Sequence, residues 1–497
     1  MNKKLNKVIC LCLALSLSAV FSGCRSNSDT ASSSSEDIEY VYIDAPTDNT
    51  GDGASNSGSG GSSGGSGGSS GGSGQSGNSD TVNIGSTTTG QTNEIDPGRI
   101  KDLKGRTITY IAYWDPTDRN SENGKMIREV EQMLNCKFVE RKMSDYKALY
   151  TSILSGAPIA DLFVTKAEQP PLNLARKGYL IALDTLSNFD LSDDCWDKAC
   201  TAENTLDGHV YAISRSSQIR SVLMYNKTMF ERNNWEDLYT LQKNGKLTWA
   251  KLTEIMSKAA AVEGNNITRY GLVPMYSIEQ FGRQMLWANG AKVLTRQGDT
   301  ANFTYSLDNS KATNALNQLA SWVSNKGYLY DSSVSGWDSG RQVFYSGKAA
   351  MTVIDYFEFG TVCNNADFEI GMCLFPHGPD SSNDLVESLV TSVSIPKGVE
   401  NPNDVALFWD ILGEYRNESV LNVSATLYDT MPDPSVKATI EKYLTNLQTG
   451  KYVFDYGYYM GTVTENIKKV AYGETTAASA LSSISQQINA QIEDFWK

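Results

Sequence analysis

RTITYIAYW (106–114) sets β-branched and aromatic residues at a period of two, the pattern of a strand. The segments just after this strand decide the fold. Met126, Val130, Met133 and Leu134 recur at i, i+4, i+7 and i+8 and predict one apolar face of a helix. CKFVERK (136–142) reads as a second strand. Ser144 stands where it would cap a helix with the buried stripe Leu149, Tyr150, Ile153 and Leu154. DLFVT (161–165) is a third strand. Strand–helix–strand alternation implies a parallel α/β sheet, and such sheets bind ligands beyond the carboxyl ends of their strands.

The later chain continues in the same style. SVLMYNKTMF (221–230) is a strand running into a helix, and Thr248 caps TWAKLTEIMSKAAAV with Leu252, Ile255, Met256 and Ala259 on one side. Residues 309–325 form another helix, AAMTVID (349–355) a buried strand, and Asn403 opens a helix through Ala406, Leu407 and Ile411. A last helix at about 474–496 buries Ala477, Leu481, Ile484, Ile488 and Ile492. Outside a Gly/Ser tract there is no internal repeat.

The amino-terminal end says where the protein lives. MNKKLNK carries three lysines and no acid, and Val8 to Phe21 is apolar or small throughout. As a helix that run spans about 21 Å, too short for a hydrocarbon core of about 30 Å. A charged start, a short apolar run and small residues before a cut define an export signal over residues 1–23. Ser22-Gly23-Cys24 adds the lipobox pattern, in which Cys24 becomes the lipidated first residue of the mature chain. Phe21 stands where such signals usually carry Leu. The competing reading is an ordinary signal peptide with an incidental cysteine. Residues 24–99 then read as a tether, Ser-rich at 25–35 and almost wholly Gly and Ser at 51–79. Such a composition cannot bury enough apolar surface to offset its ordering entropy. About 70 residues of this kind reach roughly 45 Å. Gly61-Ser62-Ser63-Gly64-Gly65 satisfies G-x-S-x-G by accident, because neither the strand nor the helix of a nucleophile elbow flanks it.

Charge and residue inventory exclude several functions. The formal net charge is −14, and about −17 once the three leader lysines are gone, which disfavours nucleic acid and anionic lipid as partners. Beyond Cys10, Cys12 and Cys24, the body keeps Cys136, Cys195, Cys200, Cys363 and Cys373. An odd count is no disulfide framework. Cys195–Cys200 and Cys363–Cys373 could pair, or all could remain packed thiols. His209 and His377 have no ligand-spaced His or Cys partner, and HExxH is absent, so neither a metal nor a cofactor is expected. SGKAAM (346–351) lacks the glycine and the hydroxyl of a phosphate loop. No pair of acids stands out for glycoside hydrolysis. The positive signal is aromatic: Trp114-Asp115 and Asp355-Tyr356-Phe357 end strands, and YVFDYGYY (452–459) packs four tyrosines and a phenylalanine. Rings that stack on the apolar face of a sugar, beside polar groups that hold its hydroxyls, make a carbohydrate site. Each ring alone is equally well explained by core packing.

Several stretches together resemble the extracellular solute-binding proteins of ABC transporters, in the sugar-binding family that includes maltose-binding protein. They are DGHVYAI (207–213), VLMYNKTMFE (222–231), TWAKLTEIMSKAA (248–260), YSGKAAMTVID (345–355), MCLFPHGP (372–379), SVSIPKG (392–398), VALFWDIL (405–412) and AYGETTAASAL (471–481). Their order and spacing run over about 390 residues. The resemblance implies a two-lobed type II periplasmic-binding-protein fold, α/β in both lobes, with hinge strands and a central cleft. Crossings fall near 214–222, 390–395 and 430, so lobe one is 100–218 plus 392–430 and lobe two is 219–391 plus 431–497.

The same resemblance implies a non-enzymatic role, with no catalytic residue. From lobe one it implies ligand contacts by Trp114, Asp115, Lys166, Glu168, Arg215 and Gln218. From lobe two it implies Gln280, Arg283, Trp337, Asp355, Tyr356, Tyr458 and Tyr459. Maltose-binding protein carries tryptophans at these aromatic positions and another where this chain has Thr165, so a linear maltodextrin ligand is not implied. The implied partners are a carbohydrate, ABC permease subunits, and the membrane through the lipid on Cys24, for a monomer on the extracellular face. Arg215, Arg283 and Lys166 would suit an acidic sugar, and peptides or polyols are the other ligand classes. The alternatives in function are a surface glycoside hydrolase and a glycan-binding or sensor-linked lipoprotein without a transporter.

Overall fold

The computed structural model describes residues 94–497 apart from 166–169, 194, 216–218, 275, 332–338, 389–391, 419–432, 458–459 and 497. The expected export signal, Cys24 and all but the last residues of the expected tether lie outside the described residues. Among those described run the strands Arg106–Ala112 (β1), Cys136–Lys142 (β2), Leu162–Val164 (β3), Thr205–Leu206 (β4), His209–Val210 (β5), Val222–Asn226 (β6), Ala261–Glu263 (β7), Asn266–Pro274 (β8), Leu294–Arg296 (β9), Phe303–Tyr305 (β10), Ala349–Ile354 (β11), Ile370–Leu374 (β12) and Val393–Ser394 (β13).

Two larger sheets organise the body. The first has the order β13-β3-β1-β2; β1, β2 and β3 are parallel, and β13 runs against β3. The second has the order β12-β6-β11-β8-β7; β8 and β11 are parallel, and β6 runs against both β11 and β12. β4–β5 and β9–β10 are small antiparallel pairs.

Period two explains how each sheet serves two cores. Ile108, Tyr110 and Ala112 pack with the helices Glu122–Met133 and Pro402–Tyr415, while Ile111 faces Tyr146, Leu149 and Phe163 on the other side. In the second sheet Leu223, Tyr225, Met351 and Val353 face the helices Trp249–Ala259 and Ile278–Ala288. Val222, Met224, Met372 and Leu374 face Val436, Ile440 and Tyr443 of the helix Pro434–Gln448. Packing groups lie on both faces of each sheet, which is why β3, β6, β11 and β12 are buried along their whole length.

The flanks of two connections between the sheets lie among the described residues, while the third expected crossing, near 430, lies outside them. Ile213 bridges Val393 beside the first sheet, and Val222 then opens β6 in the second. The return runs from the end of β12 at Leu374 to Val393.

Local chemistry departs from expectation at three points. The helix Lys147–Leu154 takes no cap from Ser144; Asp145 accepts from the Lys147 amide at 2.9 Å instead. Leu154 is 50% exposed, because it ends that helix on the solvent side. The helix Pro402–Tyr415 is opened by Asn401, in the left-handed region at φ 46°, with Pro402 in the first turn where a missing N–H costs nothing. Asn403 turns outward and accepts from the Ser187 amide at 3.0 Å. Of the two alternatives the sequence left open for Cys136, Cys195, Cys200, Cys363 and Cys373, the structure has the thiols, with none of the five in a disulfide. The Thr248 cap forms as expected, accepting from the Lys251 amide at 3.2 Å, and the structure adds a cap by Asn309, which accepts from the Ala312 amide at 2.9 Å.

Candidate functional site

Each sheet directs the carboxyl ends of its parallel strands to one edge, and the candidate ligand residues are found there. At the first edge β1 hands over to Tyr113, Trp114 and Asp115. Trp114 is half-buried with its ring 4.8 Å from Tyr113 and 6.5 Å from Tyr110. Asp115 is exposed and pairs with Lys142, the last residue of β2, at 2.9 Å. Glu140 fixes the loop by accepting from the Thr117 amide and hydroxyl at 3.1 and 3.0 Å. Thr165, after β3, binds Ser392 through its amide and through a 2.6 Å contact between hydroxyls, closing the packed end of this edge.

At the second edge the ends of β8, β11 and β12 meet the start of β6. Asp355 comes directly after β11 and is 1% exposed. Its carboxylate accepts from the Ser221 amide at 3.1 Å and the Tyr276 hydroxyl at 2.8 Å, and pairs with Arg220 at 3.2 Å. Tyr356 is half-buried and stacks on Phe359 at 5.6 Å. The turn that carries it is held by an ion pair from Arg341 to Glu358. Gln280 is exposed in the first turn of the helix Ile278–Ala288. Asp355, Tyr356 and Gln280 therefore belong to this edge, Trp114 and Asp115 to the other.

Two cations expected to meet ligand are engaged within the protein. Arg215 pairs with Asp410 and lies over the Trp196 ring, 4.3 Å from its centroid. Arg283 donates to the Met460 carbonyl at 3.0 Å and to the Thr464 hydroxyl. Burial and internal partners give both a packing role, and no case for an acidic sugar rests on them. Of YVFDYGYY, Tyr452 and Tyr456 turn their hydroxyls to Glu203 at 3.0 and 2.6 Å. Lys166, Glu168, Gln218, Trp337, Tyr458 and Tyr459 lie outside the described residues.

Sequence reasoning misses a buried polar cluster behind Asp355. The Ser221 hydroxyl donates to Glu387 and accepts from Gln284 at 2.5 Å. Tyr443 accepts from the amides of Arg220 and Glu387 at 3.2 and 3.0 Å and donates to the Glu387 carbonyl at 2.7 Å. Burial pushes the Glu387 carboxyl up to about 7, with Arg220 drawing it down and Asp355 adding to the rise. A signal exists: Arg220 in QIRSVLMY (218–225) and Glu387 in LVESLV (385–390) are lone charges in apolar runs.

Two surface depressions of about 380 and 360 Å³ share no lining residue with either edge. The second is lined by Glu203, Arg296 and Tyr456, whose polar atoms already bond one another, so it offers a ligand little. His209 and His377 each hold an aspartate, Asp184 at 2.8 Å and Asp384 at 3.0 Å. Among the described residues no group of His, Cys, Asp and Glu could hold a metal ion, and no helix is long and apolar enough to cross a membrane.

Two α/β sheets joined by crossing segments, with candidate ligand side chains at their carboxyl edges, define the type II periplasmic-binding architecture. Solved structures share it. An ABC substrate-binding protein of Listeria monocytogenes in complex with cycloalternan is 17% identical, with a TM-score of 0.58, over 78% of this chain and 100% of its own. The GacH receptor of Streptomyces glaucescens, solved unliganded and with acarbose, is 17% identical, with a TM-score of 0.55, over 78% and 99%. UgpB of Mycobacterium tuberculosis, in complex with glycerophosphocholine, is 15% identical, with a TM-score of 0.55, over 78% and 98%. No curated protein sequence matches the chain. The model of the bacterial extracellular solute-binding protein family matches residues 138–413, more than half of the sequence, and the chain belongs to that family.

Proposed function

We propose that this protein captures a carbohydrate, an oligosaccharide by preference, between the carboxyl edges of its two sheets and delivers it to the permease of an ABC importer. The observation that carries the reading is a matched pair: Trp114-Asp115 lies just beyond a parallel strand of one sheet, and Asp355-Tyr356 just beyond a parallel strand of the other. A ring on each side supplies apolar area for a sugar face, and the exposed carboxylate of Asp115 supplies an acceptor for its hydroxyls, while the buried Asp355 holds the chain just ahead of Tyr356. The cycloalternan and acarbose complexes of the structural neighbours favour the same ligand class. Lobe one is 100–218 plus 392–430 and lobe two 219–391 plus 431–497. Lys166, Glu168, Gln218, Gln280, Trp337, Tyr458 and Tyr459 complete the proposed contacts. A ligand closes two lobes only through contacts made better in the closed form, so both edges must contribute. Lipid on Cys24 would hold the protein at the extracellular face, with the Gly/Ser tract as leash.

The test is a thermal-shift screen against mono- and oligosaccharides, with glycerophosphocholine as a separate arm. A ligand bound only by the native form raises the melting temperature. The expected result is a rise with at least one saccharide, recovered intact afterwards. A rise with glycerophosphocholine alone, or cleaved sugar, overturns the reading.

A further inference from the structure

Where the two crossing segments meet the second sheet, one cation serves two carboxylates. Arg220 and Ser221 belong to the outgoing segment, Glu387 to the returning one, and Asp355 closes β11. Arg220 lies 3.2 Å from Asp355 and 3.9 Å from Glu387. The carboxylates are 1% and 3% exposed. Among the described residues, the groups seen to bond this cluster from the surrounding elements are neutral: Gln284 through Ser221, Tyr276 on Asp355, and Tyr443, whose hydroxyl holds the Arg220 and Glu387 amides together. Glu387 also bridges Val453. The nearest acid on that stretch, Asp455, is turned away to the amides of Val293, Leu294 and Gly457. Ser221 sits in the left-handed region at φ 52°, a strained position for a serine that its buried bonds hold in place.

With both acids ionised these three side chains sum to one net negative charge, and holding two buried carboxylates on a single cation is costly. One proton restores the balance. We propose that Arg220, Asp355 and Glu387 form a proton-operated joint between the two crossing segments, closed while Glu387 is protonated and loosened when it ionises. The titration of Glu387 at about 7 sets the range in which the joint works. The tight form binds the proton more strongly than a loosened, solvated form whose glutamate has its ordinary value, so acid favours the tight form. Opening should rise about tenfold from pH 6 to pH 8. The consequence for ligand capture rests on the function proposed above; the joint itself does not.

Hydrogen–deuterium exchange of the unliganded full chain tests it, monitored in peptides covering 219–223 and 386–388 and corrected for intrinsic exchange. Wild type should show the tenfold loss of protection between pH 6 and pH 8, and Glu387→Gln should show a flat profile. Arg220→Gln, which removes the counter-charge, should move the midpoint to higher pH and keeps the test alive if Glu387→Gln does not fold. A flat wild-type profile, an unchanged slope in Glu387→Gln, or an unmoved midpoint in Arg220→Gln overturns the joint. Because no saccharide is present, these results stand apart from whether the chain binds sugar.

Discussion

Replacing Tyr443 by Phe removes one oxygen and leaves the ring in place. Tyr443 is fully buried on the helix Pro434–Gln448. Its hydroxyl makes three hydrogen bonds: it accepts from the Arg220 and Glu387 amides at 3.2 and 3.0 Å and donates to the Glu387 carbonyl at 2.7 Å. No cavity of consequence forms, so the cost is almost wholly polar. Each buried group left without its partner costs about 1–3 kcal/mol. Three such groups, taken at the low end, give about 3 kcal/mol. Tyr305 supplies the control, because its buried hydroxyl makes a single bond, to the Leu481 carbonyl at 2.7 Å. Tyr305→Phe should therefore cost about 1 kcal/mol. Urea unfolding monitored by tryptophan fluorescence measures both. If Tyr443→Phe proves no more costly than Tyr305→Phe, the claim that one hydroxyl ties the two crossing segments together is refuted.

Charge and burial set the remaining expectations. Glu387 titrates at about 7 when folded against an ordinary 4.5, so its stabilising effect is full below the unfolded value and lost as pH rises through the folded one. At 1.36 kcal/mol per unit this amounts to roughly 3 kcal/mol, so Glu387→Gln should raise stability at pH 8 and leave pH 4.5 nearly unchanged in urea melts. Asp410→Ala strips Arg215 of its buried counter-charge and should destabilise by about 3–5 kcal/mol; a change below about 1 kcal/mol by the same method would show that the pair is not structural. Burial pushes the thiols of Cys136 and Cys195 up to about 12 and raises those of Cys200 and Cys373 well above the ordinary thiol value. At pH 8 iodoacetamide should label these slowly in the native chain, and all five body cysteines should react in denaturant without reductant when read by peptide mass.

Local features are legible in the sequence and distant pairings are not. The strand at 106–112 comes from period-two spacing of β-branched and aromatic residues, those at 136–142 and 349–354 are short runs of strand type, and the Thr248 cap comes from a hydroxyl three residues ahead of an amide it can reach. The opening of the helix Pro402–Tyr415 escapes the sequence because Asn401 adopts a left-handed turn that composition does not announce. Periodicity carries the buried stripe on to Leu154, but the helix end does not. The Trp114 and Asp355 edges can be named, since strand exits are visible. The partners of Asp355 cannot: Arg220 is 135 positions away in the chain and Glu387 comes from another segment altogether. Arg215 and Arg283 read as ligand cations for the same reason, their acceptors at Asp410 and Met460–Thr464 being remote in sequence.

The central claim is that both sheet edges grip one saccharide. Calorimetric titration of a saccharide found in the screen into wild type, Trp114→Ala and Tyr356→Ala tests it most directly, one ring being removed from each edge. Each substitution should weaken binding at least tenfold, about 1.4 kcal/mol, while the unliganded protein stays folded. Undiminished affinity in either variant would contradict capture between the two sheets.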